Sequence, residues 1–184
     1  MRLQNDLNYR IIGEFDIHNI AHELSTLSAD VWEVNKSRQN RSIEHQYTKS
    51  IFINNVDTDW VGNGYPLEKY FVNEKLYEYT EAIISILENK FNGKIGKAIY
   101  INLPAKKQIR VHKDYGYYLT SVHRCHIPII TNENVNFHLN GETINMKAGI
   151  CYEINNKNDH GVFNSGETDR VHLLIDIIPM SAFK

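Results

Sequence analysis

The chain lacks a cysteine framework, an excess of either charge and any long apolar run. Its two cysteines, Cys125 and Cys151, cannot build a disulfide scaffold or a thiolate metal site. Both fall inside strand-like runs, where they read as buried thiols of a reducing compartment. The formal net charge of −2 leaves no electrostatic footprint for nucleic acid or for an anionic membrane. No segment reaches the roughly 20 apolar residues that cross a bilayer. The N-terminal Met1-Arg2-Leu3-Gln4-Asn5-Asp6 has no apolar stretch of the kind a signal peptide carries. The expectation is a cytoplasmic protein with neither nucleic acid nor membrane as partner. Repeats, low-complexity tracts and Pro/Gly/Ser linkers are also missing, so a single domain over 1–184 is expected.

What is present changes character near Lys94. Before it, the spacing predicts two helices. Asp16 can cap the first, which runs through Ile17, Ile20, Ala21, Leu24 and Leu27. The second covers about 73–91, with Leu76, Tyr79, Thr80, Ile83, Ile84 and Leu87 on one face and Asn92-Gly93 as its stop. A strand is expected from His45 to Asn54, then a loop over 57–66 with Trp60, Gly62 and Gly64 as a candidate lid. After Lys94 come short β runs at about 95–103, 107–114, 121–130, 135–139, 142–147, 149–154, 160–164 and 169–178, with Asn140-Gly141 as a hairpin turn. The predicted architecture is mainly β with flanking helices, a double-stranded β-helix (jelly roll, cupin-like). Residues 1–93 would support a jelly-roll core at 94–179.

One strand ends in His112-Lys113-Asp114. Residues two apart on a strand point to the same side, so His112 and Asp114 can converge on one point, and His160 opens a later strand expected beside it. Two imidazoles and a carboxylate form the facial triad of non-haem iron oxygenases, leaving three coordination positions for a bidentate co-substrate and dioxygen. Taken by itself His-x-Asp reads better as a surface pair near a turn.

Two further strands carry polar groups on one face. In 169–178 Arg170, His172, Leu174 and Asp176 share one side, while Val171, Leu173, Ile175 and Ile177 form a purely apolar one. A buried guanidinium needs an anion, and the distal carboxylate of 2-oxoglutarate is a fitting partner for Arg170. In 121–130 Arg124 and His126 share a side opposite Cys125, Ile127 and Ile129. Both could bind carboxylates of co-substrate or substrate; equally, Arg124 could pair with Asp176 and His126 could be a satisfied core histidine. Tyr100 and Asn102 are further candidates to line the pocket. His18, His22, His45, His123 and His138 read as non-catalytic, and His172 as intermediate.

The pattern His112-x-Asp114, Arg124-x-His126-x-Pro128-Ile129, Gly149, His160-x-Val162-x-Asn164, Arg170 and Asp176 resembles the aspartyl/asparaginyl β-hydroxylase family of Fe(II)/2-oxoglutarate oxygenases over Lys97–Pro179. The resemblance implies that His112, Asp114 and His160 hold Fe(II) and that Arg170 grips the far carboxylate of 2-oxoglutarate. It also implies that His126 contacts the co-substrate near the metal, with Arg124 on either co-substrate or substrate. Asn164 matches without an assigned role. Retention of Asp114 argues for hydroxylation over halogenation. The implied activity is hydroxylation of an unactivated C–H bond in a free amino acid or small derivative, with dioxygen consumed and 2-oxoglutarate converted to succinate. The alternatives are the same chemistry on an Asp, Asn or Pro residue of a protein or peptide, and a non-catalytic jelly-roll metal or ligand sensor.

Overall fold

Alternation of polar and apolar side chains, the signal that organises the sequence, also organises the structure. The computed structural model describes residues 3, 6–56, 67–70 and 72–183. The expected loop at 57–66 lies outside them. In chain order the described strands are β1 (Tyr9–Glu14), β2 (Lys49–Val56), β3 (Leu67–Lys69), β4 (Gly93–Leu103), β5 (Gln108–His112) and β6 (His123–Ile130). They continue with β7 (Val135–Leu139), β8 (Glu142–Ile144), β9 (Ile150–Ile154), β10 (His160–Asn164) and β11 (Arg170–Pro179). The α-helices are α1 (His18–Thr26), α2 (Ser37–Arg41), α3 (Glu74–Phe91) and α4 (Tyr117–Ser121).

The strands form two antiparallel sheets, one ordered β1-β9-β6-β11-β4-β2-β3 and the other β5-β10-β7-β8. This is the jelly roll that the sequence predicts. The strands expected after Lys94 all form, with ends moved by a few residues. β6 starts at His123 because Tyr117–Ser121 turns into α4 first. β2 starts at Lys49 because Ile43–His45 makes a 3-10 turn. The short strands β1 and β3, which add to the two edges of the larger sheet, have no expected counterpart.

Helix α3 shows why its segment folds as it does. Asn73 accepts from the Leu76 N–H at 2.9 Å, and Asn92 ends the helix in the left-handed region with φ 46°. Its buried face, Leu76, Thr80, Ile83, Ile84, Leu87 and Phe91, repeats at helical spacing. At α1, Asp16 accepts from the His18 N–H at 3.0 Å. Both helices pack on one face of the larger sheet. There Val171, Leu173, Ile175 and Ile177 of β11 and Cys125, Ile127 and Ile129 of β6 complete the main core. Cys125 and Cys151 are buried free thiols within it.

The other face of that sheet looks toward the smaller sheet. A second apolar cluster, including Leu103, Ile109, Phe137, Tyr152 and Val162, fills part of the space between them. The remainder is walled by the opposite faces of β6 and β11, whose polar groups stand beside a smaller apolar cluster of Phe52, Ile99, Ile101 and Leu174. Among the described residues no helix is long and apolar enough to cross a membrane.

Candidate metal centre

β5 and β10 are paired so that His112 stands directly opposite His160. Between His160 and Val162 the register slips by a bulge, and Gly161 sits at the slip. A Cβ at Gly161 would lie 3.0 Å from Ile109 O and from the Val111 backbone, so only glycine allows this approach without displacement. Asp114 follows the end of β5, where its N–H donates to Asn156 O at 3.0 Å.

The ligand atoms of His112, Asp114 and His160 lie within 4.8 Å of one another. Nε2 of His112 is 3.8 Å from Asp114 Oδ1, and Nε2 of His160 is 3.8 Å from Asp114 Oδ2. At these separations the groups do not bond each other directly and can admit an ion between them. Nδ1 of His112 is 2.7 Å from Arg110 O, and Nδ1 of His160 is 2.9 Å from Asn158 O. A carbonyl only accepts, so each Nδ1 carries the hydrogen and each Nε2 turns a lone pair inward. Burial, with His112 adding to it and Asp114 opposing, pushes the His160 pKa down to about 4, so the ring is neutral near pH 7.

Burial acts to raise the Asp114 pKa. Arg124 foremost, then His160, Asn156 and His112, reverses that and holds the carboxyl at about 2. Arg124 is itself anchored: its Nε and Nη2 donate to Asp176 Oδ1 and Oδ2 at 2.8 Å each, and its Nη1 donates to Asp114 Oδ2. Asn156 Nδ2 donates to the same oxygen at 3.0 Å and to Leu119 O at 2.8 Å. Asp176 is fully buried. The pairing of β11 with β6 sets the Asp176 carboxylate beside the Arg124 guanidinium, which reaches Asp114 beyond the end of β5, and Asp114 faces the two imidazoles.

Behind this centre lies an inner pocket whose walls include His112, His160, Arg124, His126, Phe137 and Arg170. Arg170 is 1% exposed. Its Nε has no partner, its guanidinium carbon sits 6.0 Å from the Phe137 ring centre, and no ion pair reaches it among the described residues. Burial, then Arg38, lowers its pKa to about 9. It remains a cation at neutral pH, and it lacks an anion. His126 is buried with Nδ1 unpartnered. Burial, then Arg170, depresses its pKa, so it stays neutral. The chemistry of the donor set therefore fits a divalent ion with a dianionic ligand reaching back to Arg170.

Six sequence-predicted residues thus gather at one place: His112, Asp114 and His160 at the centre, Arg170, His126 and Arg124 around it. The conditional pairing of Arg124 with Asp176 is present. Asn164 ties down the turn before Arg170, donating to Thr168 O at 2.9 Å and accepting from the Gly166 N–H at 3.2 Å. His172 is fully buried, with neither ring nitrogen partnered and its ring parallel to Phe137 at 6.3 Å. Tyr100 and Asn102 do not line the pocket. Tyr100 belongs to the main core, its hydroxyl 2.6 Å from Thr80 Oγ1, and Asn102 donates to Asp169 Oδ2 at 3.1 Å. His123 lies away from the centre, stacked 4.2 Å from Phe91 with Nδ1 2.7 Å from Glu153 Oε1.

Two residues at the site are missed by sequence reasoning. His45 presents its ring edge-on to His112, with centroids 5.3 Å apart and planes at 89°. Arg38 places Nη2 3.3 Å from His45 Nδ1. Both come from short turns without periodicity, far from the β5 ligands in the chain, and only contact across the fold reveals them. They stand where the inner pocket meets an outer cleft of about 740 Å³, also lined by Ile99, Lys97, Tyr118 and Leu174.

Comparison with known proteins adds three findings. The profile described as aspartyl/asparaginyl beta-hydroxylase matches residues 14–179. Searched against curated proteins, the sequence finds no match. Among solved structures, the chain is similar to a Trichoplax adhaerens prolyl hydroxylase in complex with a hypoxia-inducible-factor oxygen degradation domain peptide fragment. That match has a TM-score of 0.62 at 12% identity, covering 97% of this chain and 86% of that one. It is also similar to a Pseudomonas putida prolyl-4-hydroxylase, with a TM-score of 0.58 at 12% identity over 95% and 94% of the two chains. A non-heme monooxygenase, ThoJ, in a nickel complex gives a TM-score of 0.56 at 14% identity over 94% and 74%. At these identities the likeness is one of fold.

Proposed function

The chain belongs to the aspartyl/asparaginyl β-hydroxylase family, and from that membership we propose that it is an Fe(II)- and 2-oxoglutarate-dependent oxygenase acting on a free amino acid or small derivative. The observation that carries the proposal is Arg170, a buried cation without an anion, in the pocket into which two Nε2 lone pairs and a carboxylate converge. In this reading His112, Asp114 and His160 hold the iron. Fe(II) with 2-oxoglutarate and dioxygen supplies the oxidising power for C–H hydroxylation, with succinate and carbon dioxide as by-products.

The chain's own residues bind and orient. Arg170 grips the distal carboxylate of the co-substrate, where a guanidinium can pair in bidentate fashion. The neutral His126 offers Nδ1 to the same ligand nearer the metal. Arg124 is assigned a positioning role instead of contact with co-substrate or substrate, because its Nε, Nη1 and Nη2 are already given to Asp176 and Asp114. It fixes the orientation of the metal-binding carboxylate, as outer hydrogen bonds commonly do for ligands. Ile99 and Leu174 give the outer cleft apolar wall against which a substrate's hydrocarbon can lie.

A second reading, hydroxylation of an Asp, Asn or Pro residue in a peptide, draws on the openness of the cleft and on the peptide held by the Trichoplax enzyme. The test is succinate release with Fe(II) across free amino acids and short peptides, paired with mass spectrometry for the gain of one oxygen. Turnover with free amino acids is the expected result. Turnover confined to peptides selects the second reading, and no turnover of 2-oxoglutarate with any of them rejects both.

A further inference from the structure

Among the described residues Arg38 is a cation at this centre that the proposed chemistry leaves without an ion-paired carboxylate. It reaches from α2 to the junction of the inner pocket and outer cleft, and it lines both. Its Nε is out of contact with solvent and unpartnered. The nearby carboxylates are engaged elsewhere: Asp114 and Asp176 by Arg124, Asp159 by Lys113 at 4.0 Å, and Glu44 by the Ser42 hydroxyl. No carboxylate lies within ion-pair distance of Arg38 among the described residues.

Charge bookkeeping sharpens the point. A divalent ion, Asp114, a 2-oxoglutarate dianion, Arg170, Arg124 and Asp176 together come to neutrality. The cleft's Glu44 and Asp159 offset its Lys97 and Lys113, and Arg38 remains as one net positive charge where a substrate would enter. A guanidinium so placed is stable when an anion meets it and costly when none does. His45 fixes its direction: Nδ1 accepts from Arg38 Nη2, while the same ring packs edge-on against His112. The cation is thereby held at a set distance from the metal position, with Ile99 and Leu174 in the cleft wall beside it.

We propose that Arg38 binds a carboxylate of the substrate, foremost the α-carboxylate of a free amino acid; this rests on the oxygenase reading above. The anchored carboxylate and the metal define the two ends of the substrate site. The carbon attacked is then one that lies along the hydrocarbon between them. An aspartyl side chain in a peptide would offer the same chemistry, and the experiment separates the two sources.

The test uses the full chain loaded with Ni(II), which binds without turnover, and with saturating 2-oxoglutarate. Binding is followed by calorimetry with the protein amino acids, their α-amides and the capped peptide acetyl-Ala-Asp-Ala-amide. At least one carboxylate-bearing probe is expected to bind, and replacing that carboxylate by its amide should weaken binding about 30-fold or more. In Arg38→Met the acid should lose affinity by a similar factor and the acid–amide difference should vanish. Arg38→Lys should restore part of it, and in both variants affinity for 2-oxoglutarate should change by a much smaller factor than affinity for the acid. Binding of the capped peptide in place of free amino acids supports carboxylate recognition with a peptidyl source.

Equal binding of acid and amide by the wild-type protein overturns the proposal, and that measurement needs no variant to fold. So does an Arg38→Met protein that still discriminates, or a wild-type protein that binds 2-oxoglutarate but none of the carboxylate probes. Failure to bind Ni(II) and 2-oxoglutarate at all instead removes the oxygenase reading, and the anchor falls with it.

Discussion

His112 and His160 face each other across the β5–β10 pair with ring centroids 4.4 Å apart, and each hands its Nδ1 hydrogen to a backbone carbonyl two residues earlier in the chain. The tautomer is therefore set by backbone that belongs to the sheet and its adjoining turn. From this relationship we expect His112→Ala and Asp114→Ala each to abolish coupled turnover while the fold persists. Succinate release should fall to background, metal content should drop in the purified protein, and far-ultraviolet circular dichroism should match the wild type. Wild-type metal content in either variant would remove that residue from the ligand set.

Arg170→Ala tests the co-substrate clamp. The variant should require about 30-fold more 2-oxoglutarate or beyond for half-maximal rate, because removing the guanidinium leaves the distal carboxylate buried and unpaired. The metal content should be unchanged. Unaltered dependence on 2-oxoglutarate would remove the assignment.

Asp176 touches neither the metal position nor the pocket ligand, yet Arg124 depends on it. Asp176→Asn should cost about 3–5 kcal/mol of stability, the usual scale for stripping one partner from a buried ion pair. It should also weaken metal binding by about 10–100-fold through the loosened Arg124–Asp114 contact. Chemical denaturation and a metal titration measure the two effects separately. Intact metal affinity alongside lost stability would confine Arg124 to a structural role.

Chelation separates the fold from the centre. The main core between α1, α3 and the larger sheet contains none of the three ligands. The metal-free chain should therefore keep its cooperative unfolding, and adding metal with 2-oxoglutarate should raise its Tm. At ligand concentrations about 100 times the dissociation constant the gain is about 2.7 kcal/mol. Loss of cooperative unfolding on chelation would make the metal a part of the fold itself.

Much of this arrangement is legible in the sequence because strand alternation is a local property. The apolar side of β11, Val171, Leu173, Ile175 and Ile177, enters the main core together, and its polar side turns the other way. His112 and His160 stand at strand ends as expected, whereas Asp114 lies just past the end of β5 and is placed by its N–H bond to Asn156 O instead of by strand alternation. Where the reading fails, the reason is tertiary. Tyr100 shares a strand side of polar character with Asn102, which suggests the pocket, but α3 brings Thr80 to 2.6 Å and satisfies the hydroxyl inside the core. Arg38 and His45 escaped because α2 and the 3-10 turn after it are too short to show a period. Their value comes from where the chain folds back over β5.

Tyr100→Phe checks the corrected orientation. It should cost about 1 kcal/mol of stability, the worth of one hydrogen bond, since Thr80 keeps its bond to Leu76 O at 2.6 Å. Turnover parameters should not change. An altered requirement for 2-oxoglutarate would place the hydroxyl back at the pocket.

Gly161 gives the two imidazoles their gauge. Because no side chain separates it from Ile109 O and the Val111 backbone at 3.0 Å, the strand bearing one histidine can nestle against the strand bearing the other. A single methyl there would wedge the strands apart by a few tenths of an ångström. A coordination sphere tolerates such a spread poorly. The fit of an ion held by these side chains would thus be governed partly by a position that offers it no atom.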